Sequence, residues 1–255
     1  MSAVLTMTEV TKVFHDGGRR VVAVDQVSLS LSQGRTVALV GESGCGKSTL
    51  GALAVGLLQP DQGRVCFEGV DLSDGERRLR RLVRPRLQLV FQSSADAFAP
   101  HLSLGRALRA VASRVPGEGT AAERVDEVLQ QVGLDPQVGQ RRPDRLSGGQ
   151  LQRVALARAL LAQPRVVVAD EVVSALDVAT QDEVAQLLRD LQKRWGFALL
   201  FITHDLGVAR QVADEVMVMA GGAVVEQGPP DQVLREPVSL AAQRLVAALP
   251  RFPWH

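Results

Sequence analysis

Residues 41–49 read Gly41-Glu-Ser-Gly-Cys-Gly-Lys-Ser-Thr49. A short apolar run, Thr36-Val-Ala-Leu-Val40, precedes them, and a helix-like segment, Leu50–Leu58, follows until Pro60 must end it. A strand, a glycine-rich turn and a helix in this order are the setting in which the pattern G-x-x-x-x-G-K-[ST] forms a phosphate-binding loop. The sequence therefore predicts an α/β fold that binds a nucleoside triphosphate.

The loop is expected to hold phosphate largely through its backbone. Glycines allow the turns that point several N–H groups into one concavity, and the following helix adds the positive end of its dipole. We expect Lys47 to neutralise the β- and γ-phosphates and Ser48 to ligate Mg²⁺. Only three of the 29 basic residues are lysines, so Lys47 is not a generic basic residue. The predicted contact residues are Gly41, Ser43, Gly44, Cys45, Gly46, Lys47, Ser48 and Thr49.

Composition limits the class of protein. At 255 residues with 46% hydrophobic content, the chain is long enough for one large domain or for a core with a subdomain. A net charge of +1 gives no general reason to expect a nucleic-acid partner. The arginines of the basic run Arg77–Arg86 are interrupted by apolar residues at helical spacing, which indicates a helix whose arginines form the solvated face. No run approaches the ~18 apolar residues of a membrane helix, so a function at a membrane would need another chain to span it. Cys45 and Cys66 lack metal-ligand spacing and are expected to be reduced thiols.

Residues 3–40 are expected to be rich in β-structure, with a turn at Asp16–Arg20. The predicted strands in this region, apart from the one before the loop, are Val4–Thr8, Val21–Val24 and Val27–Leu31. Phe14, at the end of the β-segment that precedes this turn, has two interpretations. It could be an aromatic plate beneath a nucleobase, because stacking needs only a flat π-face, or it could be an ordinary core residue.

Residues 93–163 have the pattern of helices and loops. The predicted helices are Leu104–Val115, Ala121–Val132 and Gly148–Ala162. Leu146-Ser-Gly-Gly-Gln150 precedes the last of them. Exposed N–H groups at this glycine-rich helix start, with the Ser147 hydroxyl beside them, could form a second anion site. The alternative is a capped helix with Ser147 at its N-cap.

Two further buried strands are predicted to end in polar residues. Arg165–Glu171 carries Asp170 and Glu171 at its end, and Ala198–Thr203 is followed by His204. Ligands of α/β sheets gather at the carboxyl ends of the strands. Asp170 could therefore hold Mg²⁺, and Glu171 could take a proton from an attacking water. His204 could reach a γ-phosphate, although a single histidine there is more often structural.

The rest of the chain predicts a β-hairpin and two terminal helices. Val216–Met219 and Val224–Glu226 flank a Gly221-Gly222 turn, and the amphipathic segments Pro229–Leu234 and Leu240–Leu249 follow. The sequence shows no internal repeat that would indicate a second domain.

Six motifs in this order resemble those of ATP-binding cassette (ABC) transporter ATPase subunits, over nearly the whole chain. They are the Walker A loop Gly41–Thr49, the Q-loop residue Gln92, the signature Leu146–Gln150, Walker B Val166–Asp170 with Glu171 after it, the D-loop Ser174–Asp177 and the H-loop residue His204. The resemblance implies a P-loop NTPase fold of the ABC ATPase type, with a mixed central sheet, an N-terminal antiparallel β-subdomain and an inserted helical subdomain. It implies a single domain over residues 1–255, with the core and β-subdomain in 1–92 and 164–255 and the helical signature subdomain in 93–163.

The resemblance also implies an ATP hydrolase that works as a head-to-tail dimer, with each ATP between Walker A of one subunit and the signature of the other. Phe14 then occupies the base-stacking position. The residues expected to contact ATP across the interface are Ser147, Gly148, Gly149, Gln150 and Asp177. The implied catalytic residues are Lys47, Gln92, Glu171 and His204. The implied Mg²⁺ ligands are Ser48, Gln92 and Asp170.

More narrowly, the chain resembles ATPases of the peptide/nickel importer group, on Phe91–Pro100, Val178–Gln181 and Leu245–Pro250. Ala99, and Val172-Val173 after Walker B, depart from that pattern. The group implies import of peptides, nickel or metal chelates from the cytoplasmic face of the inner membrane, where the subunit is peripheral. Its implied partners are a same or homologous ATPase, membrane permease subunits and, indirectly, an extracytoplasmic solute-binding protein. The alternatives are an exporter ATPase and a soluble ABC ATPase without a transport function. The second lacks support, because the chain has neither a second cassette nor a long heptad segment.

Overall fold

A computed structural model of the chain describes residues 3–73, 83–91, 93, 97–174 and 176–248. Gln92 and most of the arginine-rich run lie outside these ranges, as do Leu249 and the residues after it. The described strands are β1 (Ala3–Asp16), β2 (Arg19–Ser32), β3 (Thr36–Val40), β4 (Gln62–Phe67), β5 (Val70–Asp71), β6 (Leu87–Val90), β7 (Val166–Asp170), β8 (Ala198–Thr203), β9 (Glu215–Ala220) and β10 (Ala223–Gly228). The described α-helices are α1 (Lys47–Ala54), α2 (Leu104–Ala112), α3 (Ala121–Gln131), α4 (Gly148–Leu161), α5 (Val178–Trp195), α6 (Leu206–Val212), α7 (Pro230–Arg235) and α8 (Leu240–Ala247).

The larger sheet has six strands in the order β10-β9-β3-β8-β7-β6. Strands β9, β3, β8, β7 and β6 are parallel, and β10 pairs antiparallel with β9 through the two-glycine turn. Every residue of β3, β7 and β8 is buried, because both faces of these strands are covered. This burial explains why all three strands were readable as continuous apolar runs.

The smaller sheet is antiparallel, with strand order β2-β1-β4-β5. The predicted break between Val24 and Val27 is wrong, because both residues lie in the single long strand β2. Gln26 adopts a φ of 49°, and its N–H donates to Oγ1 of Thr11 at 3.1 Å. The irregularity is therefore absorbed as a bulge while pairing with β1 continues on both sides.

Alternating residues divide the core into layers on the two faces of the larger sheet. Val166 and Val168 pack with α1 and the smaller sheet, whereas Val167 and Ala169 pack with α4 and α5. A third cluster places α6, α7 and α8 against β3 and β9. The predicted α/β fold, with a mixed central sheet, an antiparallel N-terminal sheet and helices between β6 and β7, is confirmed.

Helix α1 differs from its predicted range at both ends. It begins at Lys47, within the glycine-rich stretch, and ends at Ala54, well before Leu58. Gly56 has a φ of 69°, a left-handed conformation that turns the chain away from the helix. Leu57 beyond it is 52% exposed, so the apolar run of the sequence outlasts the helix.

Candidate active site

The glycine-rich loop connects β3 to α1, and at two of its glycines nearby backbone atoms leave no room for a Cβ. Gly46 is the N-cap of α1 with a φ of 107°, and a Cβ there would overlap the carbonyl oxygen of Ala23 in β2. A Cβ on Gly41 would overlap the carbonyl oxygen of Met219 in β9. The other predicted residues on the loop or in the first turn of α1 are Ser43, Gly44, Cys45 and Thr49. The loop is therefore held between two strands that the sequence did not connect with it.

Lys47 directs its charge back into this loop. Its side chain is buried, and Nζ donates hydrogen bonds to the carbonyl oxygens of Gly41 at 2.8 Å and Glu42 at 2.9 Å. The Cys45 thiol lies 4.0 Å from the same nitrogen. A buried ammonium within a curled backbone is suited to a polyanion such as a triphosphate.

Ser48 and Asp170 bring α1 and the end of β7 together. The Ser48 hydroxyl donates a hydrogen bond of 3.2 Å to Oδ1 of Asp170. Burial raises the pKa of Asp170, and the neighbouring Glu171 carboxylate raises it further, whereas the Ser48 hydrogen bond and the Lys47 charge lower it. A hydroxyl and a carboxylate oxygen are ligands that suit Mg²⁺. Within the described ranges no group of three or more His, Cys, Asp and Glu side chains could hold a metal. A Mg²⁺ ion here would complete its octahedron with water and phosphate oxygens, which is its usual mode of binding.

Glu171 is held in an unusual backbone conformation. Its φ is 49°, a region in which a residue other than glycine is strained by about 1–3 kcal/mol. Its N–H donates to the Ile202 carbonyl at 2.9 Å, and its own carbonyl accepts from the N–H of Ser174 at 3.2 Å and from the Ser174 hydroxyl at 2.9 Å. The carboxylate Oε1 lies 3.7 Å from Nδ1 of His204. Strain of this kind is typical of functional positions, and here it places a partly exposed carboxylate beside an imidazole.

The signature residues form a helix start on the surface. Ser147 caps α4: its hydroxyl accepts from the Gln150 N–H at 3.3 Å, and its N–H donates to Oε1 of Gln150 at 3.2 Å. The helix cap predicted as one alternative is thus present. Asp177 caps α5 by accepting from the N–H and hydroxyl of Thr180, which lowers the pKa of Asp177. A Cβ on Gly149 would lie 2.8 Å from Cγ2 of Thr180, so the two helix starts adjoin each other.

A cavity of about 920 Å³ opens beside the glycine-rich loop. It brings together four of the predicted site residues: Ser43, Ser48, Asp170 and Glu171. Its far wall is the middle of α4, including Arg158, which the sequence did not single out. The signature residues 147–150 are not among the described residues that line this cavity. Within the described residues, one chain therefore brings the phosphate loop and the carboxylates to this cavity without its own signature.

Phe14 lies in β1, which pairs with β2, and β2 is the strand that contacts Gly46 of the loop. It pairs with Val21 of β2, and two residues further along β2 the carbonyl of Ala23 abuts Gly46. The residue is 39% exposed, and Nζ of Lys12 lies 5.7 Å from the centroid of its ring. Its exposure argues against the core interpretation and favours a ring that is available for stacking.

Comparison with known proteins identifies the family. Residues 24–174 match the family model described as ABC transporter. The chain belongs to this family. Among curated relatives of this ABC ATPase, the probable peptide ABC transporter ATP-binding protein y4tS of Sinorhizobium fredii is 40% identical over 230 residues, which are 89% of this chain and 65% of that protein. The dipeptide transport ATP-binding protein DppF of Escherichia coli is 41% identical over 235 residues, which are 91% of this chain and 70% of that protein.

Solved ABC structures share the fold. The chain resembles cbiO1 from Clostridium perfringens, part of the ABC transporter complex cbiONQ, with a TM-score of 0.83, 29% identity and 92% coverage of both chains. It also resembles the ATP-binding cassette MJ0796, solved as a dimer in a post-hydrolysis state with ADP and Pi, with a TM-score of 0.79, 28% identity and coverage of 89% of this chain and 98% of that one. No helix among the described residues is long and apolar enough to cross a membrane.

Proposed function

We propose that this ABC ATPase is the energy-coupling subunit of an importer, with peptides as the transported substrates. The observation that carries the enzymatic part is the convergence of Ser48, Asp170 and Glu171 on one cavity beside the buried Lys47. Support for the cargo comes from relatives that are named for peptide and dipeptide transport. Nickel or a metal chelate is the second cargo class compatible with the sequence motifs.

We assign the steps of hydrolysis to Glu171, which lines this cavity, and to His204 and Lys47, which lie beside its two carboxylates. A water attacks the γ-phosphorus, the bond from phosphorus to the β–γ bridging oxygen breaks, and ADP leaves. Glu171 takes the proton of that water on its carboxylate, and His204 orients the water and the γ-phosphate. Lys47 neutralises the β- and γ-phosphates.

Ser48, Asp170 and Gln92 would hold Mg²⁺, which when bound neutralises charge on the phosphates. Gln92 lies outside the described residues, so its part is inferred from its motif alone. The hydrogen bond between Ser48 and Asp170 supports the other two assignments, because it already brings two oxygen ligands together next to the phosphate loop. Phe14 would stack on the adenine.

The signature residues of one subunit would complete the ATP site of another. Ser147, Gly148, Gly149 and Gln150, with Asp177 beside them, lie at helix starts whose N–H groups favour an anion. ATP bound in one subunit would attract this surface of its partner, and hydrolysis would remove part of that attraction and let the dimer open. Support comes from the cavity beside the phosphate loop, because the signature residues of the same chain are not among the described residues that line it.

We further propose a division of the chain that suits this role. Residues 1–92 and 164–255 would form the core and β-subdomain, and residues 93–163 a helical subdomain that receives the permease. The partners would be a same or homologous ATPase, the membrane permease subunits and, through them, an extracytoplasmic solute-binding protein. The subunit would sit peripherally at the cytoplasmic face of the inner membrane. The names of the relatives as transport ATP-binding proteins support this arrangement.

ATP hydrolysis by the purified chain tests the proposal, with wild type compared with Glu171→Gln and with gel filtration in ATP and Mg²⁺. Glutamine keeps the shape of the side chain but cannot take the proton, so phosphate release should fall about 10²- to 10⁴-fold. The variant should accumulate as an ATP-dependent dimer. If the wild type is inactive alone, the same comparison is made after co-purification with the permease and partner ATPase. Vigorous hydrolysis by a strict monomer would refute the proposal that each ATP site is completed by the signature of a second subunit.

A further inference from the structure

Asp61 connects the turn after α1 to three successive residues of β1. Its Oδ2 accepts a hydrogen bond of 2.6 Å from the N–H of Val13, and its Oδ1 accepts one of 3.0 Å from Nζ of Lys12. Its own N–H donates to the carbonyl of Thr11 at 2.8 Å. These contacts lower the pKa of Asp61, with the Val13 N–H as the largest cause. One carboxylate therefore fixes the backbone and a side chain directly before Phe14.

Lys12 carries this attachment on to the aromatic ring. Its ammonium lies over the Phe14 ring, 5.7 Å from the centroid, a cation–π arrangement that restricts how the ring can turn. The Lys12 side chain is only 16% exposed, so its stem is packed while its charge is shared between Asp61 and the ring. The ammonium group of lysine is also smaller than the planar guanidinium group of arginine, which could stack flat across the ring.

The same stretch of β1 pairs with the part of β2 that contacts the phosphate loop. Val13 pairs with Val22 and Phe14 with Val21 in β2, and the following residue of β2, Ala23, abuts Gly46. A displacement of this part of β1 therefore changes the position of the ring relative to the bound phosphates.

We propose that Asp61 and Lys12 are positioning residues for the nucleobase, which hold the Phe14 ring at a fixed place relative to the phosphate loop. The inference rests on the stacking role assigned to Phe14 under the proposed function. A ring that is already ordered loses less side-chain freedom when the base binds, so affinity for the nucleotide rises without a new contact. The ion pair itself is partly exposed and adds little to folding stability, which separates its effect on binding from any effect on the fold.

A double-mutant cycle between Asp61→Asn and Phe14→Ala tests this inference. Binding of ATP, GTP and tripolyphosphate is measured by calorimetry in EDTA, so that nothing is hydrolysed. Lys12→Met, which keeps the stem and removes the charge, is measured in parallel. Glu183→Gln is the matched control, because it removes a comparable exposed ion pair to Arg153, which connects α5 to α4 away from β1. Urea unfolding of every variant confirms that the fold is retained.

Phe14→Ala should weaken ATP binding about 5- to 100-fold, the range for loss of one base stack. Asp61→Asn and Lys12→Met should each weaken ATP and GTP about 3- to 10-fold, in line with loss of a cation–π contact and of ring order. In the Phe14→Ala background, Asp61→Asn should have no further effect. Tripolyphosphate binding should stay unchanged throughout, as should all binding by Glu183→Gln.

Two outcomes would overturn the inference alone. One is an Asp61→Asn effect of the same size with and without Phe14, and the other is an equal loss of tripolyphosphate affinity. Either would make Asp61 a general brace of the β1 strand. If Phe14→Ala binds ATP as tightly as the wild type, the base-stacking assignment fails as well. The assignment of Glu171 is untouched by any of these results, since it is tested by hydrolysis.

Discussion

Replacement of Gly46 by alanine should destabilise the chain by about 2–5 kcal/mol, from two separate causes. A φ of 107° is strained for any residue with a Cβ, at about 1–2 kcal/mol. The added Cβ would also overlap the carbonyl oxygen of Ala23 and come within 2.8 Å of Cε of Met219. The backbone of β2 must then shift, and overpacking of this kind costs about 1–3 kcal/mol.

Gly44 provides a matched control within the same loop. Its φ is 80°, but a Cβ there would meet no heavy atom within 4 Å. Alanine at position 44 should therefore cost only the conformational part, about 1–2 kcal/mol. The difference between the two variants, about 2 kcal/mol, isolates the contact between the loop and β2.

Urea unfolding without nucleotide measures both variants, with thermal melting as a second readout at about 2–4 °C per kcal/mol for a chain of this size. Equal destabilisation by the two substitutions would refute the reasoning, since it would mean that β2 does not confine the loop at Gly46. A loss of less than about 1 kcal/mol for Gly46→Ala would refute the strain contribution as well.

Three further predictions concern the carboxylates and the signature. Burial raises the pKa of Asp170 above its value in the unfolded chain. The folded chain therefore loses stability as pH rises from the unfolded pKa through the folded pKa, where Asp170 becomes ionised. Asp170→Asn should therefore unfold at higher urea than wild type at pH 7, with a smaller advantage at pH 4. Ser174→Ala removes the hydrogen bond from the hydroxyl to the Glu171 carbonyl. It should lower kcat about fivefold at unchanged KM, and Ser174→Thr should restore kcat. A rise in KM of the same size would contradict a positioning role. Ser147→Asp keeps a favoured N-cap residue, so the free energy of unfolding should stay within about 0.5 kcal/mol of the wild type. The added negative charge should reduce ATP-dependent dimerisation, measured by gel filtration, about tenfold or more. Unchanged dimerisation would contradict contact between Ser147 and phosphate.

The sequence predicted best the elements whose neighbours are uniform. The strands Thr36–Val40 and Ala198–Thr203 match their predicted bounds, because a strand covered on both faces is a continuous apolar run. The same rule misled at α1, where apolar residues continue beyond Ala54 although Gly56 has already turned the chain. Hydrophobicity reports burial, and at this point it does not report where the helix ends.

Contacts between residues far apart in the chain could not be predicted from the sequence. Ser48 and Asp170 are 122 positions apart, and only the pairing of β7 within the sheet brings them to 3.2 Å. Because ligands gather at the carboxyl ends of the strands, the sequence indicated that both residues would lie at one edge of the sheet, but it gave no distance. The left-handed backbone of Glu171 was equally invisible, because its supports, Ile202 and Ser174, are a carbonyl on another strand and a hydroxyl without a distinctive spacing.

Ser147 shows why the sequence left two interpretations open. The capping box uses the N–H groups of Ser147 and Gln150. The N–H groups of Gly148 and Gly149 belong to the first turn of α4, where a helix offers no internal acceptor. The cap and the anion site therefore use different backbone donors and do not exclude each other. Because the cap fixes the helix start, it also orders the two glycine N–H groups before a phosphate arrives, so a structural role for Ser147 would strengthen the proposed functional one.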